Sequence, residues 1–263
     1  MNVMRCLAQL LLAVALCAAL PVAAATALVG GNVLDIHSGD TIENAVVLVD
    51  GERISAVGAR DEVAVPDDAT VIDASGMWLI PGLMNMHVHP GLVLPGNMAA
   101  RLANETDAAL ALRMAAEARA MLQVGVTTIR VPGDSRHADL ALDRSIRRGE
   151  SHGPRIFSAG EALVITAGHG SEPGVRYADG PWELVKAARE QISLGAKWVK
   201  ILISGGIATE GGDIAEALMT PEEIAAVIDA AHRFGAKVAA HSGSSAATSV
   251  AVDAGIDSIE HGY

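Results

Sequence analysis

The nine residues SLGAKWVKI, at 193–201, carry the pattern that decides the fold of this chain. A helical pattern ends, a glycine follows, and a short apolar strand pattern begins. The same join recurs in QVGVTTIRV at 123–131, RFGAKVAAH at 233–241 and DAGIDSIEH at 253–261. The four glycines, Gly125, Gly195, Gly235 and Gly255, suit the position just past a helix, where a left-handed residue ends it. Helices and strands that alternate in this way predict parallel βα units.

The pattern predicts six strands, near 83–89, 126–131, 155–159, 198–203, 237–241 and 257–261. Helical patterns lie between them, including 105–123 and 181–194. The best marked helix is TPEEIAAVIDAAHRFG, in which Thr220 is a cap, Pro221 suits the first turn and Glu223 completes a capping box. Six strands fit either an open doubly wound sheet or most of an eight-stranded barrel, and periodicity alone does not decide between them.

Residues 26–80 differ in residue pattern from the rest of the chain. ALVGGNVLD, AVVLVDGERISAVG and TVIDASGMWLIPG are short β-branched runs separated by Gly, Asp and Asn in turn positions. They predict a small antiparallel β module, followed from residue 81 by the βα region.

The bulk composition excludes some classes of function. The net charge of the 263 residues is −12 and only four are lysines, which argues against a nucleic-acid partner. An aromatic content of 3% argues against stacking platforms for bases or glycans.

Residues 1–25 resemble a secretory leader, with one arginine, an apolar run from Leu7 to Leu20, and PVAAAT for cleavage after Ala25. The alternative is a membrane anchor, but the run is shorter than the ~20 residues that a spanning helix needs. Both cysteines, Cys6 and Cys17, lie in this segment. We therefore expect an exported protein, periplasmic or secreted, that keeps no membrane contact after cleavage and has no thiolate chemistry.

The strand ends carry the chemistry, since active sites of both candidate folds lie at the carboxyl ends of parallel strands. The first strand ends in LIPGLMNMHVHPG, at 79–91, where His87 and His89 alternate onto one face. Two imidazoles on one face can converge on one metal ion. The alternative is a structural pair of histidines at a domain seam.

Lys200 lies within the apolar strand KWVKILISGG. Burial there would favour the neutral amine, which can add carbon dioxide to form a carbamate that bridges two cations. The alternative is a lysine that reaches the rim or pairs with an acid. His241 and His261 end the next two strands. Imidazoles without thiolates favour zinc or a similar divalent ion.

PGLMNMHVHP, WVKILISGG, VAAHSG and SIEHG, in this order and at these spacings, resemble the amidohydrolase superfamily. Its imidazolonepropionase-like and Xaa-Pro or Xaa-Arg dipeptidase-like branch is the most similar. The resemblance covers nearly the whole mature chain, and the β module resembles the family's small sandwich domain. It implies a TIM-type (β/α) barrel, in which His87 and His89 hold the more buried of one or two metals. Carbamylated Lys200 would bridge both metals, and His241 and His261 would hold the outer one. A bridging hydroxide would attack an amide carbonyl.

The sequence departs from the family at its end. It stops at Tyr263 after the sixth strand, where the family barrel has eight strands and a late aspartate that shuttles the proton. Asp257, Asp213 and Glu210 are poor substitutes for it. The expectation is a fragment or a truncated product, with about six of eight βα units.

Two loops supply second-rank candidates. His169, in ITAGHGSEPG, is expected at the mouth of the site, where it could donate to a substrate oxygen. Gly205 and Gly206, in SGGIATEGG, are expected to form part of the substrate pocket. Arg176 and Tyr177 could bind a substrate carboxylate, although a solvated helix flank explains them equally well.

Three hypotheses follow. The first is an exported, metal-dependent hydrolase of amide bonds in small substrates such as dipeptides or N-acyl amino acids; a homo-oligomer is left open. The second is a non-catalytic remnant that binds metal or a partner. The third is a phosphate- or nucleotide-binding doubly wound sheet, supported only by the glycine-rich loops.

Overall fold

The computed structural model describes residues 24–92, 104–170, 174–207 and 212–262. The predicted leader up to residue 23, with Cys6 and Cys17, lies outside these ranges, as do Glu210 and Tyr263. The chain divides into two units, residues 1–81 and 82–263. Among the described helices, none is both long and apolar enough to span a membrane.

The first unit contains one five-stranded sheet in the order β3-β2-β1-β4, with β5 also paired to β1. Its strands are β1 (Thr26–Leu34), β2 (Thr41–Asp50), β3 (Arg53–Ala59), β4 (Thr70–Asp73) and β5 (Trp78–Leu79). The predicted VDGER turn joins β2 to β3, with Gly51 at φ 57°. The sheet is mixed, because β4 and β5 run parallel to β1. The expectation of an antiparallel module was therefore wrong for β4 and β5: the connection after β3 returns the chain to the starting end of β1, and β4 and then β5 run along it in parallel.

The second unit is an α/β fold in which strands and helices alternate. Its strands are β6 (Leu83–Asn85), β7 (Val126–Val131), β8 (Arg155–Ser158), β9 (Ala162–Val164), β10 (Val175–Tyr177), β11 (Trp198–Leu202), β12 (Lys237–Ser242) and β13 (Ser258–His261). Its helices are α1 (Asp107–Gln123), α2 (Ala138–Arg147), α3 (Gly180–Ser193), α4 (Pro221–Arg233) and α5 (Ser245–Asp253).

All strand pairs of this unit are parallel, in the orders β6-β7-β8 and β10-β9-β11-β12-β13. The two sheets meet where the amide of Lys197, just before β11, donates to the carbonyl of Ser158 at 3.0 Å. The chain bends at 159–161, so that β8 pairs with β7 while β9 pairs with β11. The six predicted strands are confirmed, but β9 and β10 were not predicted.

The predicted helix ends are also confirmed. Gly125, Gly195, Gly235 and Gly255 all have positive φ, between 70° and 108°. Thr220 and Glu223 form the predicted capping box of α4. The helices pack apolar faces onto the strands, as Leu184 and Ile224 do against Val199 and Ile201, all of them 0% exposed. This core fixes the strand ends that carry the candidate site.

Candidate metal centre

The predicted metal ligands meet at one end of the parallel strands. Ring centroids lie 4.9 Å apart for His87 and His89, 4.9 Å for His87 and His261, and 4.7 Å for His241 and His261. Four histidines from three separate strand ends therefore form one continuous cluster. His87 and His89 lie just beyond β6, which ends at Asn85 and is shorter than the predicted strand.

His87 and His89 point their Nε2 atoms at each other, 3.0 Å apart. The Nδ1 atom of His89 donates to the carbonyl of Gly133 at 2.5 Å. The Nδ1 atom of His87 lies 2.6 Å from the Glu260 carboxylate, which can only accept when ionised. When both rings are neutral, this arrangement leaves a lone pair on each Nε2 atom, and a cation between the two nitrogens would then hold them together. Two nitrogens that bind the same zinc ion, each at about 2.0–2.1 Å, lie roughly 3 Å apart. The 3.0 Å separation of the two Nε2 atoms therefore fits a shared ion.

Glu260 is ionised and orients His87. Burial alone would raise the pKa of this carboxyl. The hydrogen bonds from His87 and Ser258, with the charges of Lys200 and Arg130, outweigh burial and lower the pKa to about 2. Arg130 contacts the other carboxylate oxygen at 2.5 Å and donates to the carbonyl of Met86 at 2.7 Å. This arrangement resembles the carboxylate–histidine pairs that hold metal-binding imidazoles in one tautomer.

His89 and His241 are neutral at pH 7. Burial lowers the pKa of each to about 4, and the hydrogen bonds to the carbonyls of Gly133 and Gly205 oppose this only in part. The Nε2 atom of His241 donates to the Gly205 carbonyl at 3.0 Å, so one predicted pocket residue contacts the cluster directly. Neutral imidazole is the form that binds metal.

Lys200 is 2% exposed, and its Nζ atom has no hydrogen-bond partner among the described residues. Burial lowers the pKa of Lys200 to about 7; Glu260 opposes the shift and Arg130 adds to it. A buried, unpaired amine is costly, which indicates that a further group belongs beside it. Within the described ranges, no three His, Cys, Asp or Glu side chains can hold an ion by themselves.

His169 joins the cluster, with its ring stacked 4.6 Å from that of His241. Gly206 faces this ring so closely that a Cβ atom there would overlap it. A Cβ atom on Gly205 would likewise overlap the backbone of Asp213. Both predicted glycines therefore allow close approaches near the cluster, Gly206 to the His169 ring and Gly205 to the Asp213 backbone.

Arg176 and Tyr177 are placed differently. The Arg176 guanidinium lies 3.5 Å from Glu190 of α3 and lines a cavity of about 270 Å³ with residues that include His137 and Gln191. None of the four clustered histidines lines that cavity. The Tyr177 hydroxyl donates to the carbonyl of Gly170, next to His169, at 3.4 Å.

Two residues of the site were missed by the sequence analysis. Arg130 and Glu260 are 5% and 4% exposed inside strands β7 and β13. The criterion that singled out Lys200, a charged residue within an apolar strand, applies equally to both. Asp257, in contrast, pairs with His232 at 2.8 Å at the opposite end of β13 from His261.

Comparison with known proteins gives a consistent result. The amidohydrolase family model matches residues 50–263. A solved prolidase in complex with N-methylphosphonate-L-proline is 35% identical, with a TM-score of 0.82 over 90% of this chain and 61% of that one. A Xaa-Pro dipeptidase with bound methionine is 28% identical, with a TM-score of 0.80 over 91% of this chain and 62% of that one.

Among curated proteins, ochratoxinase from Aspergillus niger is 29% identical over 252 residues, which is 85% of this chain and 51% of that protein. The chain thus spans about half the length of this curated relative.

Proposed function

Since the chain belongs to the amidohydrolase family, we propose that the protein is a metal-dependent hydrolase of C–N bonds in small substrates such as dipeptides or N-acyl amino acids. The observation that carries the proposal is the pair of Nε2 atoms of His87 and His89, 3.0 Å apart, with both Nδ1 atoms occupied by acceptors. The prolidase and dipeptidase likenesses support the choice of substrate class.

His87, His89, His241 and His261 would hold one or two divalent ions, with zinc favoured by an all-imidazole set. A bound ion supplies Lewis acidity and lowers the pKa of water toward neutrality. Lys200, as a carbamate, would add two oxygen ligands. Its buried Nζ atom without a described partner, and its pKa of about 7, make the neutral amine available for that modification.

The chain's own residues then position the reaction. Glu260 and the Gly133 carbonyl hold the two imidazole rings in the tautomer that leaves Nε2 free. His169 lies beside His241, where it would donate to a substrate oxygen. Burial lowers the pKa of His169, so at pH 7 it donates as a neutral imidazole.

The test is a hydrolysis assay on the purified protein with Xaa-Pro dipeptides, other dipeptides and N-acyl amino acids, with zinc or with a chelator. We expect zinc-dependent release of amino acids that is abolished in His89→Ala. His232→Ala is the matched control, since that exposed histidine pairs with Asp257 outside the cluster. Zinc binding without turnover on any of these substrates would favour the alternative of a metal-binding, non-catalytic protein. Equal hydrolysis by His89→Ala would refute the proposal.

A further inference from the structure

A short turn follows the His87–His89 pair directly. The amide of Leu92 donates to the carbonyl of His89 at 3.0 Å and closes the turn 89–92. A buried carboxylate and a half-buried guanidinium hold this turn from two sides, and the proposed chemistry uses neither of them.

Asp134 holds the turn from the loop after β7. This residue is 1% exposed, and its carboxylate accepts from the amides of Gly91 at 2.8 Å and Ser135 at 2.7 Å. Its own amide donates to the carbonyl of Gly160 at 2.8 Å, which ties the loop to the end of β8. A Cβ atom on Gly91 would overlap the Asp134 carboxylate, so only glycine allows this approach.

The same loop also holds the ring of His89. Gly133, directly before Asp134, accepts from the Nδ1 atom of His89. Gly133 has φ 114°, a conformation that side chains rarely adopt, and a Cβ atom there would press on Ala162 at 3.1 Å. The loop after β7 therefore holds the His89 imidazole through the Gly133 carbonyl, and it holds the backbone that follows His89 through the Asp134 carboxylate.

Arg113 of α1 holds the turn from the other side. It donates to the carbonyls of Pro90 at 3.2 Å and Gly91 at 3.0 Å. Two bonds to Glu105, each 2.9 Å, fix its guanidinium. The turn is thus fixed at one amide and two carbonyls.

We infer that Asp134 is a positioning residue for His89, which sets the direction of the His89 Nε2 atom through the turn 89–92 and the Gly133 carbonyl. The inference rests on the proposed function only in that His89 binds metal. Partners that orient a metal ligand typically contribute a 10- to 100-fold gain in metal affinity. We expect Asp134→Asn, which can accept only one of the two amide hydrogens, to weaken zinc binding by about tenfold.

The experiment measures two quantities on the full chain. Hydrogen exchange of metal-free protein, read on peptides that contain residues 89–92, reports the turn itself. Zinc competition with a chromogenic chelator reports affinity. Asp134→Asn should speed exchange at 89–92 and weaken zinc binding. Asp143→Asn is the matched control, since Asp143 is 5% exposed and pairs with Arg147 of α2 rather than with the turn or its loop. It should lower the melting temperature but change neither reading.

The outcomes are distinct. Unchanged exchange at 89–92 in Asp134→Asn would overturn the inference that Asp134 holds the turn. Faster exchange with wild-type zinc affinity would overturn the positioning role, and so would an equal loss of affinity in Asp143→Asn. Wild-type protein that binds no zinc would overturn the proposed function and the metal-positioning role together, while the exchange result would still report on the turn.

Discussion

Replacing Glu260 with Gln tests how the centre of the site is held together. The Glu260 carboxylate contacts Arg130 with one oxygen and His87 with the other, and all three side chains come from different strand ends. A Gln amide has a single acceptor oxygen, so it can serve Arg130 or His87 but not both. If the amide nitrogen faces His87, the imidazole must present an acceptor at Nδ1 and carry its proton on Nε2, toward His89.

The size of the effect follows from burial. The Arg130 and Glu260 side chains are 6% and 5% exposed. Breaking a buried ion pair from one side costs about 3–5 kcal/mol. Arg130 keeps its bond to the Met86 carbonyl, and its guanidinium lies 4.5 Å from the centre of the Trp198 ring. We therefore expect Glu260→Gln to lower the free energy of unfolding by about 3 kcal/mol, the low end of this range. If that free energy falls by about 3 kcal/mol per M of urea, the urea midpoint should fall by about 1 M. The change of tautomer should weaken zinc binding by about 10- to 100-fold.

The assay is urea unfolding of metal-free Glu260→Gln, followed by zinc competition. Asp229→Asn is the control, since Asp229 forms an exposed pair with Arg233 at 2.8 Å, and exposed pairs of this kind often contribute nothing measurable. A urea midpoint for Glu260→Gln that is no lower than that of Asp229→Asn would show that the buried Arg130–Glu260 pair does not stabilise the fold. Unchanged zinc affinity would refute the role of Glu260 in fixing the His87 tautomer.

Two further substitutions test the pocket. The pKa of Lys200 in the folded protein, about 7, lies below its value in the unfolded chain. Between about pH 7 and 10 the unfolded chain therefore binds one more proton at this residue than the folded protein does. Lys200 thus makes the free energy of unfolding rise with pH across that window. Lys200→Met should flatten that rise in urea unfolding of metal-free protein at pH 7 and pH 9.5, and an equal rise in both proteins would contradict the assignment. Gly206→Ala should displace His169 and lower kcat/KM with zinc content unchanged; unaltered kinetics would show that the contact has no functional role.

The parallel βα framework was readable from the sequence because its determinants are local. A glycine just past each helix and a capping box at Thr220 each involve residues within one turn. The strand-end histidines followed from the same reasoning, since parallel strands bring their carboxyl ends together. The structure places these histidines in one cluster, with Lys200 buried within its strand.

The parts that were missed depend on distant partners. His87 and Glu260 are 173 positions apart, and no local pattern states that one orients the other. The bend at 159–161 separates β8, which pairs with β7, from β9, which pairs with β11, and both partners are distant in the sequence. Similarly, the parallel pairing of β4 and β5 with β1 depends on where loops return, which alternation of residue types does not encode.

A metal site formed by the clustered histidines and Lys200 would bind zinc in a fixed ratio to the chain, so zinc stoichiometry is the decisive measurement. The protein and its His87→Ala variant would be dialysed against buffered zinc, and bound metal per chain measured by plasma mass spectrometry. We expect one or two zinc ions per wild-type chain and a loss of at least one in His87→Ala. Wild-type protein without stoichiometric zinc, or a variant that retains the full amount, would contradict this expectation.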